Sequence, residues 1–370
     1  MTLTLTPMGD GTPAGDLLNG LNAAQAEAVS TTEGPVLIIA GAGSGKTRVL
    51  TFRIAYLLRL GVNPSHVLAL TFTNKAAQEM KERISHLVGG GIARSMMAGT
   101  FHSVFARILR QFADRIGYTS SFTIYDTDDQ AAAIKAVMNQ LGVSQQVVPV
   151  NGVRGRISSA KNSMISWQEY VRSADSVLEK QTGQIFEEYE KRLAQSNAMD
   201  FDDLLLNTIR LLEHHPDVLE SLQDRFRYLL VDEYQDTNRA QYQVVTMLAR
   251  KYRNLCVVGD DAQSIYRWRG ADIRNILDFE RDYPESKVVR LEQNYRSTKT
   301  ILAAADSVIK RNTKQLKKSL FTDNIEGEKI TVLACRDDRE EADMIARTIR
   351  SRVEKYGYSY KDVAILYRTN

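Results

Sequence analysis

The stretch from Gly34 to Leu60 constrains this chain most. An apolar run, Val36 to Ile39, leads into A-G-A-G-S-G-K-T at Ala40 to Thr47 and then into a helix-like pattern. Glycines at 41, 43 and 45 let backbone N–H groups curl inward through torsions that a Cβ obstructs. The turn formed by Ala40, Gly41, Ala42, Gly43, Ser44 and Gly45 is therefore read as a cradle for phosphates. Lys46 is placed to reach the terminal phosphates of a nucleotide, and the Thr47 hydroxyl to hold Mg²⁺. The N-terminus of the following helix adds partial positive charge at the same spot. Ala40 stands where the G-x-x-x-x-G-K-[ST] pattern has its first glycine, a position that asks only for a small residue. An idle glycine-rich turn is the bland alternative, and the strand before it and the helix after it speak against that.

Composition narrows the rest. The 370 residues are 43% hydrophobic and 25% charged, a balance suited to a soluble α/β chain of two or three domains. Lys and Arg outnumber Asp and Glu by only 48 to 45, so contact with nucleic acid has to be local. Cys256 and Cys335 belong to no metal-binding or disulfide pattern and read as small buried hydrophobes in a reducing, cytoplasmic setting. No secretory leader and no apolar run of membrane-spanning length is visible, so no membrane contact is expected. Met1 to about Gly15 is expected to be disordered.

Along the chain, Asn22 to Val29 reads as a short helix. The Gln25 amide has the donor and acceptor that match the edge of adenine, although a plain surface glutamine fits equally. Val67 to Phe72 is a second buried strand followed by T-F-T-N-K-A-A. There Phe72 is either a stacking face for a base or the end of a core strand, and Asn74 and Lys75 sit where open α/β sheets bind ligands. Ala77 replaces the carboxylate that guanine recognition needs. In G-T-F-H-S, Thr100, His102 and Ser103 can bond a phosphodiester backbone, though a lone histidine is often structural. From Phe105 to about Ala198 the pattern turns helical and reads as an inserted subdomain, with the basic residues Arg154, Arg156 and Lys161 read as a solvated face.

Asp200, Asp202 and Asp203 open another helix as capping acids. Tyr228 to Val231 is a third buried strand ending in Asp232-Glu233. One carboxylate can hold Mg²⁺, and the other can orient and deprotonate an attacking water. Leu255 to Val258 is a fourth strand, leading into G-D-D-A-Q-S-I-Y-R-W-R-G-A-D. Gln263 is suited to sense a γ-phosphate, while Tyr266, Arg267, Trp268 and Arg269 alternate rings with cations as single-stranded nucleic acid binders do. Lys287 to Leu291 reads as the start of another sheet, with further strands at Ile330 to Ala334 and Val363 to Tyr367 around a helix from Arg339 to Tyr356.

Taken together, L-N-x-x-Q, A-G-A-G-S-G-K-T, T-F-T-N-K-A-A, G-T-F-H-S, V-D-E-Y-Q-D-T, the G-D-D-A-Q-S-I-Y-x-W-R-G-A-D segment and N-Y-R-S-T resemble the UvrD/Rep/PcrA group of superfamily 1 DNA helicases, from about Leu21 to the last residue. The resemblance implies ATP and Mg²⁺ as cofactors and a RecA-like P-loop domain with a parallel sheet (16–107 and 199–286). It also implies a helical insert (108–198) and the first part of a second RecA-like domain (287–370), which reads as truncated. It implies that Gln25 reads adenine, that Arg48 and Tyr295 sandwich the base, that Gln263 couples γ-phosphate to DNA, and that Arg296 is an arginine finger. Phe72, Tyr266, Trp268 and Arg269 would form base pockets, with Thr100 and His102 on the backbone. The expected partners are single-stranded DNA, its junctions with duplex, and proteins of repair or replication. The competing reading is an ATP- and DNA-binding fragment without unwinding activity.

Overall fold

The computed structural model describes residues 14–146, 148–267, 270–312, 315–316 and 318–367. Of the expected disordered stretch, 1–13 lie outside these residues, while Ala14 and Gly15 open a 3₁₀ turn, Ala14–Leu18. Trp268 and Arg269 also lie outside the described residues.

The described residues form eight strands: β1 (Val36–Ala40), β2 (Val67–Thr71), β3 (Met97–Thr100), β4 (Thr123–Tyr125), β5 (Ala198–Asp200), β6 (Tyr228–Val231), β7 (Asn254–Gly259) and β8 (Lys287–Leu291), of which β1, β2, β6, β7 and β8 are the expected apolar runs and the short β3, β4 and β5 were not anticipated. Six form one sheet in the order β3-β2-β6-β7-β1-β8, with every pairing parallel, and β4 pairs with β5. Parallel strands need crossovers, and the helices in those crossovers cover both faces of the sheet. Alternation along each strand then divides the interior in two. Leu37, Ile39, Leu68, Leu70, Leu229 and Val231 face one core, with helices Phe101–Gln111, Phe201–His214 and Arg239–Ala249. Val36, Ile38, Val67, Ala69, Leu230 and Val258 face the other, with helices Ala23–Ser30, Lys46–Arg59 and Asn74–Val88.

β8 corrects one expectation. It does not begin another sheet but flanks β1, pairing Val36 with Lys287 through Ala40 with Leu291, and it buries Val289 and Leu291 in the second core. A short apolar run shows that a strand is buried but not which neighbour it pairs with.

The helices Thr127–Gln140, Val150–Asn162, Trp167–Arg172 and Val177–Gln195 hold a separate core around Ile134, Val153, Ile157, Phe186 and Tyr189. Ile108 and Leu109 pack in the first core under the sheet. Lys161 is not on a solvated face. It is 1% exposed and bonds Glu190, Asp200 and Asp203 at 2.6, 2.8 and 2.7 Å. Asp200 and Asp203 also form the capping box of helix Phe201–His214, as their position at its start suggested.

The chain forms two compact units, one running to Ile325 and one from Glu326. The second holds the helix Asp338–Tyr356, capped by Asp337 and ended by Gly357 in a left-handed conformation. Its segments 330–334 and 363–367, expected as strands, carry no strand pairing among the described residues; Val332 and Leu366 are 87% and 94% exposed. A strand is defined by a hydrogen-bonded neighbour, and apolar pattern alone does not supply one. Cys256 is buried as expected, whereas Cys335 is only partly so. No helix among the described residues is long and apolar enough to cross a membrane.

Candidate nucleotide site and nucleic-acid interface

Because all six strands run the same way, the loops leaving their C-terminal ends share one rim of the sheet. The loop after β1 carries Gly43 and Gly45 at φ +68° and +89°, torsions that L side chains resist. Ser44 closes the turn by donating its Oγ to Gly41 O at 2.7 Å. Helix Lys46–Arg59 follows, and its N-cap, Gly45, provides no side-chain cap for the first N–H groups, which is the arrangement a phosphate oxygen would complete. Ala40, in the place of the usual glycine, is the fully buried last residue of β1, and an alanine methyl fits there.

Gln25 is buried against this loop. Its Nε2 donates to Ser44 O at 3.0 Å, and its Oε1 accepts from Asn22 N at 3.2 Å, in the capping box of helix Ala23–Ser30. The turn after β8 docks on the same loop: Asn294 Nδ2 donates to Ala42 O at 2.7 Å and Tyr295 N to Gly43 O at 3.0 Å. Tyr295 keeps half its surface exposed and its hydroxyl joins Gln293 and Asn22. Arg296 is exposed beside Gly43. Arg48 lies over the Phe52 ring and donates to Gly20 O.

Asp232 and Glu233 leave β6 two strands from β1. Glu233 adopts φ +50°, uncommon for a residue with a side chain, and its carboxylate meets Lys46: Nζ donates to Oε2 at 3.0 Å. Burial, and then the Glu233 charge, pushes the Asp232 carboxyl up to about 6; the same two causes in the same order bring Asp236 to about 6. After β7, Gln263 Nε2 donates to Asp260 Oδ2 at 2.6 Å, and Asp260 and Asp261 share Lys318 Nζ at 2.5 and 2.6 Å.

The loop bearing Tyr266 is stapled to the segment after the acidic pair. Asp272 N and Asn275 Nδ2 both donate to Thr237 O, and Asn238 bridges Ala271. Farther along the rim, Phe72 is half-buried with its ring 5.6 Å from Phe101. Asn74 is exposed at the start of its helix. Thr100 spends its hydroxyl capping helix Phe101–Gln111. His102, its pKa lowered by burial, stands edge-on to Phe201 at 5.6 Å.

The sequence that builds this rim resembles that of known proteins. Residues 21–284 match the UvrD/REP helicase N-terminal domain, and residues 289–370 match the UvrD-like helicase C-terminal domain. The chain belongs to the UvrD/REP helicase family. A protein named ATP-dependent DNA helicase PcrA from Staphylococcus aureus (strain Mu50) is 52% identical over 355 residues, covering 96% of this chain and 48% of that protein. Its namesake from Bacillus subtilis (strain 168) is 49% identical with the same coverage. The chain therefore spans about half the length of these relatives.

Within the first unit of this UvrD/REP-type chain, the structure brings Gln25, the phosphate loop, Lys46, Glu233, Tyr295 and Arg296 together, with Asp232 buried beside Glu233. Gln263, Tyr266, Phe72 and His102 lie on the same rim. Sequence reasoning passed over three residues here. Asn294 anchors the Tyr295 turn by accepting from Arg296 N and Ser297 N while donating to the phosphate loop. Phe201 leaves 42% of its surface exposed beside His102. Gln235 donates to Glu233 Oε2 at 2.9 Å. An aromatic set among capping acids at a helix start was the legible signal for Phe201; Asn294 acts on Ala42, 252 positions away, and Gln235 also accepts from Asp260 N, 25 positions on.

Proposed function

We propose that this chain is the ATP-hydrolysing and DNA-gripping part of a DNA helicase, coupling hydrolysis at Lys46 and Glu233 to stepping on single-stranded DNA. The observation that carries this reading is the Lys46–Glu233 contact at the phosphate loop, on the rim that also bears the Tyr266 loop. Phosphates of ATP would draw Lys46 toward them and leave the Glu233 carboxylate to orient and deprotonate the attacking water.

Mg²⁺ fits the residues present. Asp232 is a buried carboxylate whose charge would be favoured by a cation, and Thr47 lies in the first turn of the neighbouring helix. These two would hold the ion, which when bound would offset phosphate charge. Gln25 and Tyr295, with Arg48, would frame the adenine, and Arg296 would serve as the arginine finger, an element contributing about 10³–10⁵ in rate in nucleotide hydrolases. Phe72, His102, Tyr266 and Phe201 would meet bases and backbone, together with Thr100, Asn74, Trp268 and Arg269. The kinship further supports 3′–5′ movement, separation of duplex at junctions, a cytoplasmic role in repair or replication with protein partners, and division into a first RecA-like domain with a helical insert and the opening of a second.

ATP hydrolysis by the 370-residue chain, with and without single-stranded DNA at two salt concentrations, tests the reading. Stimulation that weakens with salt is expected. Glu233→Gln is expected to bind ATP while losing about 10²-fold or more in turnover. Unaltered turnover in that variant overturns the assignment of Glu233.

A further inference from the structure

Gln235 is fully buried, and a core position of its size would be filled at lower cost by methionine or leucine, because a buried amide is favourable only when its polar atoms are satisfied. Here both ends are satisfied, by two different loops. Nε2 donates to Glu233 Oε2 at 2.9 Å, the same oxygen that Lys46 Nζ contacts at 3.0 Å, and Oε1 accepts from Asp260 N at 3.0 Å. The backbone oxygen of Gln235 accepts from Ser264 Oγ at 3.3 Å. Beyond Asp260 the path continues, since its carboxylate receives Gln263 Nε2 on one oxygen and Lys318 Nζ on the other.

The crossing is tight. A Cβ on Gly259 would come within 2.7 Å of Gln235 Oε1 and 2.6 Å of Ile276 Cδ1, so the last residue of β7 has to be glycine for the amide to pass. Glu233 reaches its end of the bridge through its left-handed backbone, an arrangement that survives only where the surroundings enforce it.

We propose that Gln235 is a positioning residue that ties the Glu233 carboxylate to the Asp260–Tyr266 loop, so that the nucleotide site and the DNA-facing loop change state together. The proposal rests on the reading of Glu233 as the hydrolytic base. When Lys46 leaves Glu233 for a phosphate, the carboxylate is left on Gln235 Nε2. Any shift of that carboxylate then moves the amide, and through Oε1 the backbone at Asp260, from which Gln263 and Tyr266 hang. Conversely, a strand pressing on the Tyr266 loop acts on Glu233.

The test measures how a non-hydrolysable ATP analogue changes the affinity of the 370-residue chain for an oligothymidylate, by fluorescence anisotropy, in the wild type, Gln235→Met and Gln235→Glu. Methionine removes both ends of the bridge. Glutamate keeps the shape and the acceptor for Asp260 N but sets a carboxylate oxygen where Nε2 meets Glu233 Oε2, and the thermal midpoint of each variant guards against one that merely misfolds. In the wild type the analogue is expected to shift the oligonucleotide affinity about 5-fold or more. In both variants that ratio should collapse to near one, while the analogue alone binds within about 2-fold of wild type and DNA-stimulated kcat falls with little change in KM, as expected when two linked sites are uncoupled. Retention of the wild-type ratio in either folded variant overturns the proposal, and so does a parallel loss of both affinities with a lowered thermal midpoint. Glu233→Gln separates the two claims. If it turns over normally, the base assignment fails; if it is inactive while the Gln235 variants keep the coupling, only the Gln235 proposal fails.

Discussion

Two lysines in this molecule each meet a carboxylate from a distant part of the chain, and they do so under opposite conditions. Lys161 is sealed among Glu190, Asp200 and Asp203 with about 1% of its side chain exposed. Lys46 meets Glu233 at the phosphate loop, where the side chains keep 11% and 37% of their surface. At Lys161 burial opposes the charge, but attraction from Asp200, Asp203 and Glu190 outweighs it and holds the ammonium well above its usual range. The acids divide accordingly. Asp203, buried and beside the Asp200 charge, is pushed up, whereas Asp200, though also buried, is held down by Lys161. A sealed pair has no water to replace a lost partner, so it fixes the helices between β4 and β5 to the start of helix Phe201–His214. A half-open pair can trade partners, as a site that must accept phosphate requires.

The sharpest way to break this comparison is to delete each cation. Lys161→Met is expected to destabilise by about 3–5 kcal/mol, because it strands buried carboxylates. Lys46→Met should cost about 1 kcal/mol or less in stability, as open pairs do, while abolishing ATP turnover. Urea denaturation of the two variants checks both, and equal losses would erase the distinction. Next in size, Phe201→Ala should weaken oligothymidylate binding by about 1–3 kcal/mol if its exposed ring stacks on a base, read by salt-controlled titration. An unchanged affinity would leave that ring a mere neighbour of His102.

The smallest effect sharpens the picture of the open site. Asp232 titrates at about 6 in the folded chain, above the ordinary value of 3.8. The folded state thus holds that proton more tightly than the unfolded chain does. The corresponding stabilisation is whole below pH 3.8 and is lost as pH rises through about 6. Asp232→Asn, uncharged throughout, should therefore raise the thermal midpoint at pH 7.5 by about 2–4 °C for a gain on the order of 1 kcal/mol. The difference should close near pH 4, which differential scanning at the two pH values reads directly.

Much of the sheet was legible because fully buried parallel strands announce themselves as short apolar runs, as at Val36, Val67, Tyr228 and Leu255. The phosphate loop was legible for a related reason: its glycines answer to local torsions. What escaped depends on partners far away in sequence. The pairing of β8 with β1 joins residues about 250 positions apart. The burial of Lys161 depends on acids supplied by another helix and by the strand after it. Gln235 resembled any polar residue after an acidic pair until Asp260 was seen on its other side. The strands expected at 330–334 and 363–367 had the right composition but lack a neighbour among the described residues.

The parallel sheet has one more consequence. Adjacent strands stand about 4.8 Å apart, so the four steps from β1 to β3 place the phosphate loop and the Thr100 turn about 19 Å apart along the rim. That spacing is a ruler the backbone cannot shorten, since every strand in it is clamped on both sides by ladder bonds or covered by helices. Work done at one end of the ruler has to reach the other through groups that span its gradations. Between the loops of β6 and β7, the amide of Gln235 makes that crossing.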